Sequence, residues 1–105
     1  MTAPYLATEP SRADVDRTQG PVVLEFGAPW CGICAAAQPA ITKALREYPQ
    51  VQHIKVADGR GQALGRSFGI KLWPTLIAMR DGRELGRLVR PTNPDAIASL
   101  LATIA

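Results

Sequence analysis

The sequence predicts an α/β fold built around one mixed β-sheet. Three observations carry that expectation. Short apolar runs rich in Val, Ile and Phe alternate with segments whose apolar residues recur at helical spacing, which gives the order β-α-β-α-β-α-β-β-α. Asp81-Gly82 separates the last two strand-like runs and is a two-residue hairpin signal, so the final pair is antiparallel. The 105 residues hold no repeat, linker or low-complexity stretch, so residues 1–105 read as a single domain, long enough to bury a core without disulfide staples.

Tyr5 and Leu6, an apolar pair in an otherwise small and polar start, mark a short first strand. Thr8-Glu9-Pro10 then supplies a capping hydroxyl, an acid for the first turn and an early proline, which predicts a helix from about Glu9 to Arg17, ended by Gly20-Pro21. Val22-Val23-Leu24-Glu25-Phe26 lacks clear alternation, as a central strand covered on both faces does. Gly27-Ala28-Pro29 turns the chain into a helix from Cys31 to about Glu47. Its apolar face is Ile33, Ala37, Ile41, Ala44, Leu45 and Tyr48, and the internal Pro39 should bend it.

Val51 to Val56 is the next strand, stopped by Asp58-Gly59. A short helix over Gln62 to Phe68 sets Leu64 and Phe68 four apart, with Gly69 as its stop. Thr75–Met79 and Arg83–Val89 flank the hairpin turn, and the alternation falters at Gly86, where a bulge is expected. Thr92-Asn93-Pro94-Asp95 caps a last helix whose stripe is Ile97, Leu100, Leu101 and Ile104.

The only two cysteines fall at the strand-to-helix turn, within Trp30-Cys31-Gly32-Ile33-Cys34. A strand that stops at Phe26 and a helix that starts near Cys31 place the first thiol where backbone N–H groups have no carbonyl partner. Such donors favour the thiolate, the nucleophilic form. Cys34 returns to the same side of the first turn, so the two sulfurs can close or open a small disulfide ring. That suits the pair to passing a disulfide to or from another protein. Inert core cysteines have no reason to stand three apart at such a turn. A zinc or iron–sulfur site needs about four ligands, and only His53 and scattered carboxylates remain to complete one. No metal is therefore assigned, and the chemistry requires no organic cofactor.

Composition narrows the partners. With 47% hydrophobic and 20% charged residues, the chain has the balance of a soluble globule rather than a disordered one. Twelve basic and nine acidic residues leave a net charge of +3, spread without a dense run, which argues against nucleic-acid binding. No apolar run approaches membrane-spanning length. Met1 to Gly20 has no basic segment followed by an apolar one, so a cytoplasmic location is expected. In that reducing compartment a C-x-x-C pair points to catalysis rather than to a structural disulfide.

Trp30-Cys31-Gly32-Ile33-Cys34 after a strand, Pro39 five residues beyond Cys34, and Trp73-Pro74-Thr75 opening a later strand together resemble the thioredoxin family over nearly the whole chain. The resemblance implies the thioredoxin fold, a central mixed β-sheet of four to five strands flanked by helices on both faces. It also implies that Cys31 attacks a substrate disulfide and that Cys34 resolves the mixed disulfide. Pro74 would follow a cis peptide bond beside Cys31, where the backbone pairs with an extended substrate segment, a mode that tolerates varied side chains. The substrate-contacting candidates are Trp30, Gly32, Ile33, Trp73, Pro74, Thr75 and Arg90.

Glu25 stands six residues before Cys31, where thioredoxins commonly carry a buried aspartate that helps deprotonate the resolving cysteine. A carboxyl inside an apolar strand resists ionising, which suits it to exchange protons near neutrality. Lys55 matches the family lysine that pairs with that carboxylate. His53, on the same strand face as Lys55, reads as a half-buried, satisfied histidine rather than a catalytic one.

Four positions depart from the family pattern. Ile33 replaces the usual proline and restores an N–H that can point at the Cys31 sulfur, which predicts a lower Cys31 pKa and a more oxidising pair. Trp73 replaces a smaller residue before the proline and, with Trp30, would widen the apolar wall around the sulfurs. Arg90 replaces a glycine bordering the docking groove; a cation there supports the Cys31 thiolate or favours acidic partners. Ala35 replaces a basic residue common just after the second cysteine.

These features together predict a monomeric cytoplasmic thiol–disulfide oxidoreductase that reduces or exchanges protein disulfides through Cys31 and Cys34. Glu25 and Lys55 assist, and a reductase or small thiol resupplies electrons. The same chemistry run in the opposite direction would oxidise or isomerise substrates. The alternative from another class is a binding module that docks partners through the Trp30, Trp73 and Pro74 surface, its thiols incidental.

Overall fold

The fold is described by a computed structural model over residues 4–105. Its elements are α1 (Arg12–Arg17), β1 (Pro21–Gly27), α2 (Gly32–Arg46), β2 (Gln52–Ala57), α3 (Ala63–Ser67), β3 (Thr75–Arg80), β4 (Arg83–Val89) and α4 (Pro94–Ala102). The strands lie in the order β2-β1-β3-β4. β1 runs parallel to β2 and antiparallel to β3, and β3 pairs antiparallel with β4.

β1 takes an inner place because both of its faces are apolar. Its pleat sends Val22, Leu24 and Phe26 to one side, where they pack with Val15 of α1 and with Leu64 and Phe68 around α3. Val23 points the other way, into a layer with Ala37, Ile41 and Ala44 of α2 and Ile97, Leu101 and Ile104 around α4. Leu24 and Phe26 are fully buried, and each such side chain contributes about 1.5–3 kcal/mol of burial free energy. Glu25 shares the parity of Val23, so the same pleat carries its carboxylate into the α2 side of the sheet. A buried carboxylate is costly unless its oxygens are bonded, and that requirement shapes the site.

Register brings three sequence-distant pieces to one edge. Phe26 of β1 lies opposite both Val56 of β2 and Thr75 of β3. The turn from β1 into α2 and the start of β3 therefore emerge side by side.

Several sequence expectations need correction. The expected first strand is an isolated parallel bridge between Tyr5 and Lys55, so the sheet has four strands among the described residues. The first helix starts at Arg12 rather than near Glu9, because Ser11 Oγ, not the Thr8 hydroxyl, accepts from the Asp14 N–H at 3.0 Å. Glu9 is drawn elsewhere, accepting from the Leu64 N–H at 3.1 Å. Ile33 is not part of the buried face of α2; it is 48% exposed, and the stripe is Cys34, Ala37, Ile41 and Ala44. The extent of α2 is otherwise as expected: the helix runs to Arg46 with Pro39 inside it.

The hairpin and the bulge are as expected. Asp81 and Gly82 have φ of +52° and +80°, the pairing of positive φ values that a tight two-residue turn uses. Ala78 lies opposite Gly86 but Met79 opposite Glu84, which leaves Leu85 as the extra residue.

Candidate active site

Cys31 is the N-cap of α2, with φ −85° and ψ 113°. Its N–H donates to the Ala28 carbonyl at 3.1 Å, and its own carbonyl accepts from the Ala35 N–H at 3.1 Å. Its sulfur accepts from the Cys34 N–H at 3.2 Å. The sulfur thus stands where a capping oxygen usually does, at the positive end of the helix dipole. Cys34 lies one turn deeper and is 2% exposed. Both thiols are free.

The environments drive the two thiols apart. Burial alone would raise the Cys31 pKa. The Cys34 thiol, the Cys34 and Ile33 N–H groups and the Arg90 charge outweigh it and hold Cys31 below the ordinary thiol range. The Ile33 donor is one that a proline at that position would lack. For Cys34, burial, the hydrogen bond it gives to Cys31 and the Cys31 charge win over donors from Ala28 and Tyr5, and push it up to about 11. One sulfur is set to be ionised and the other to stay protonated.

Beneath Cys34 lies a polar network that satisfies Glu25, which is fully buried. Glu25 Oε1 bonds His53 Nε2 at 2.8 Å, and Oε2 accepts from Gln38 Nε2 at 2.8 Å. Gln38 Nε2 also donates to the Cys34 carbonyl at 2.9 Å, and Gln38 Oε1 accepts from Lys55 Nζ at 3.1 Å. The expected direct Lys55–Glu25 pair is therefore corrected. The two residues are register partners on β2 and β1, but the Gln38 amide stands between their charged ends. His53 is half-buried and satisfied, as the sequence suggests, and its partner is Glu25 itself. Gln38 was not a sequence candidate; its one signal was the four-residue spacing from Cys34 on a helix, which stacks the two on one face.

The opposite wall comes from the start of β3 and the end of β4. The Trp73–Pro74 peptide bond is cis, Pro74 is buried, and Thr75, 2% exposed, donates through Oγ1 to the Leu72 carbonyl at 2.6 Å. Trp30 is 78% exposed and meets Trp73 edge-to-face, with centroids 5.5 Å apart. Trp73 Nε1 donates to Asp58 Oδ2 at 3.0 Å, a contact that nothing in the sequence announced because Asp58 read only as a strand stop. Gly32 is the first residue of α2, with open space where a Cβ would stand. Arg90 has φ of +51°. Its N–H donates to the Pro74 carbonyl at 2.7 Å and its Nε to the Trp73 carbonyl at 2.8 Å, so the guanidinium is moored beside the proline instead of trailing into solvent.

Among the described residues no group of three or more His, Cys, Asp or Glu side chains is placed to hold a metal ion. No helix among them is long and apolar enough to cross a membrane. A thiol of lowered pKa at a helix N-terminus, with a buried thiol one turn behind it, defines a dithiol–disulfide exchange protein.

Comparison with known proteins agrees. The thioredoxin family model matches residues 4–103. Thioredoxin 1 of Synechococcus elongatus is 30% identical over 82 residues, 77% of either chain. Thioredoxin-1 of Saccharomyces cerevisiae is 32% identical over 84 residues, covering 80% of this chain and 81% of that one. Among solved structures, reduced thioredoxin 2 from Pseudomonas aeruginosa is similar with a TM-score of 0.86 and 47% identity, over 98% of this chain and 99% of that one. Oxidised mitochondrial thioredoxin 3 from Saccharomyces cerevisiae has a TM-score of 0.73 and 26% identity, over 87% and 85%. The chain belongs to the thioredoxin family, and its activity is that of a thiol–disulfide oxidoreductase.

Proposed function

We propose that the protein reduces protein disulfides, with Cys31 as the attacking thiolate and Cys34 as the resolving thiol. The observation that carries this is the Cys31 sulfur capping α2 while Cys34 lies buried one turn behind it. The Cys31 thiolate attacks one sulfur of a substrate disulfide and releases the other as a thiolate. Cys34 then loses its proton and attacks Cys31 Sγ. The second substrate sulfur leaves, and the chain is left with a Cys31–Cys34 disulfide. Two electrons have passed to the substrate, and a reductase or small thiol returns them.

In this scheme Glu25 takes the Cys34 proton, and Gln38, Lys55 and His53 hold its carboxylate in place. Trp30, Gly32, Ile33, Trp73 and Arg90 form the substrate surface, and the buried Pro74 and Thr75 behind it set the backbone that a substrate segment would meet. Trp30 and Ile33 offer exposed apolar area. The Trp73 carbonyl, shared with Arg90, is the backbone group that an extended segment would meet. The protein acts as a monomer in a reducing compartment such as the cytoplasm, where electrons are resupplied. Net oxidation or isomerisation is the second possibility. It is favoured by the Ile33 N–H at Cys31, because stabilising the thiolate makes the disulfide a stronger oxidant.

Insulin reduction driven by dithiothreitol tests the scheme. The parent protein is expected to accelerate precipitation of the insulin B chain, and Cys31→Ser to fall to the dithiothreitol background. Equal rates for the two would make the thiols incidental and favour a binding module.

A further inference from the structure

We propose that Tyr5 is a further catalytic residue of the resolving step, its phenol hydroxyl donating to Cys34 Sγ as that sulfur becomes a thiolate. The inference rests on Cys34 being the resolving thiol.

Tyr5 precedes every strand of the sheet, yet three contacts fix it. Its backbone bridges Lys55, with the Leu6 N–H donating to the Lys55 carbonyl at 2.9 Å. Lys55 Nζ sits 4.5 Å from its ring centroid. Its hydroxyl donates to the Ala28 carbonyl at 3.1 Å. These contacts carry the hydroxyl across to the turn between β1 and α2, over Gly27. A Cβ on Gly27 would lie 2.7 Å from Cys34 Sγ and 2.8 Å from Tyr5 Oη. The sulfur and the phenol oxygen therefore converge on the space that the missing side chain leaves open. Tyr5, Cys31, Cys34, Gln38 and Lys55 all border one cavity of about 230 Å³.

The chemistry needs a donor at this place. Cys34 is nearly inaccessible to water, so a thiolate there depends on protein donors, and a charge-assisted hydrogen bond from a phenol is a strong one. The titration directions agree. A hydrogen bond from Tyr5 favours ionised Cys34, and burial followed by the nearby Cys34 charge raises the Tyr5 pKa, so the phenol keeps its proton while it donates. Turning the phenol about its C–O bond redirects that hydrogen from the Ala28 carbonyl toward the side on which the sulfur lies.

The other groups that bear on the pair are Cys31 at the N-cap of α2, Glu25 on β1, and Lys55 and His53 on β2, with Arg90 acting on Cys31. The step balances without Tyr5 gaining or losing a proton. The Cys34 proton passes to Glu25, the Cys34 sulfur bonds to Cys31 Sγ, the bond from Cys31 to substrate breaks, and the substrate sulfur leaves as a thiolate.

Single-turnover release of thionitrobenzoate from a Cys31 mixed disulfide isolates this step. Tyr5→Phe keeps the ring over Lys55 and the backbone bridge. At neutral pH it is expected to slow release by about tenfold, the effect of losing one hydrogen bond to a charge. The gap should close as pH rises and Cys34 ionises unaided, and alkylation of Cys31 in the dithiol form should be unchanged. Fluorotyrosine placed at position 5, a more acidic donor of nearly the same shape, should speed release at neutral pH. Equal release by parent and Tyr5→Phe would overturn the proposal. So would a slowing that is constant across pH or matched by slower Cys31 alkylation, and so would fluorotyrosine leaving the rate unchanged. If the parent itself releases no thionitrobenzoate, Cys34 is not the resolving thiol, and the scheme and this inference fall together.

Discussion

At Arg90 charge and backbone shape can be separated. The residue holds a positive φ and spans two carbonyls, those of Pro74 and Trp73, while its charge lowers the Cys31 pKa. Arg90→Gln keeps a polar side chain within reach of the Trp73 carbonyl and removes the charge. It is expected to raise the pH midpoint of Cys31 alkylation by about a few tenths of a unit, because an exposed charge acts through solvent. An unchanged midpoint would mean that the guanidinium serves only the backbone. Cys31, Cys34, Glu25 and Pro74 could be read from the sequence because each sits at a fixed offset from one strand-to-helix turn or opens one strand. Gln38 and Tyr5 could not. Gln38 reaches the site because α2 lies over the Glu25 face of β1, and Tyr5 because the N-terminal segment pairs with β2 at Lys55; no local pattern encodes either placement. The same gap explains the misjudged Lys55 partner, since the intervening amide comes from a helix.

Among the elements, the β3–β4 hairpin shows how a turn can be both local and tertiary. Asp81-Gly82 made it readable, and Gly82 at φ +80° meets the local demand. Tertiary packing adds a second demand, because a Cβ on Gly82 would meet the Asp16 carbonyl oxygen of α1 at 1.9 Å. Asp81 itself reaches back, accepting from the Gly20 N–H at 2.7 Å. Gly82→Ala is therefore expected to lower stability in urea titration by about 2–4 kcal/mol, combining left-handed backbone strain with overpacking. A loss below about 0.5 kcal/mol would contradict the close seating of α1 on the hairpin. Helix α1 starts later than its Thr8 signature suggests: Ser11 supplies the capping hydroxyl, and Glu9 is bound instead to the Leu64 N–H of α3, a contact 55 residues away.

Across the whole molecule, two apolar layers hold β1 between them and leave its end free to do chemistry. The α2–α4 layer seats the helix from which Gln38 joins Glu25 to the Cys34 carbonyl, and the α1–α3 layer fixes the other face of the same strand. The alternation of strands and helices and the burial pattern of β1, α3 and α4 could be read at this scale, because periodicity reports burial directly. The fold keeps one sulfur at the surface in a field of donors and the other inside. Initial rates of alkylation at each cysteine, measured against pH and located by peptide mass mapping, test that division. Cys31 is expected to react first, with a midpoint below that of a free thiol, about 8.5, and Cys34 to stay silent until the pH nears about 11. Both cysteines reacting in parallel, with a shared midpoint at or above about 8.5, would contradict it.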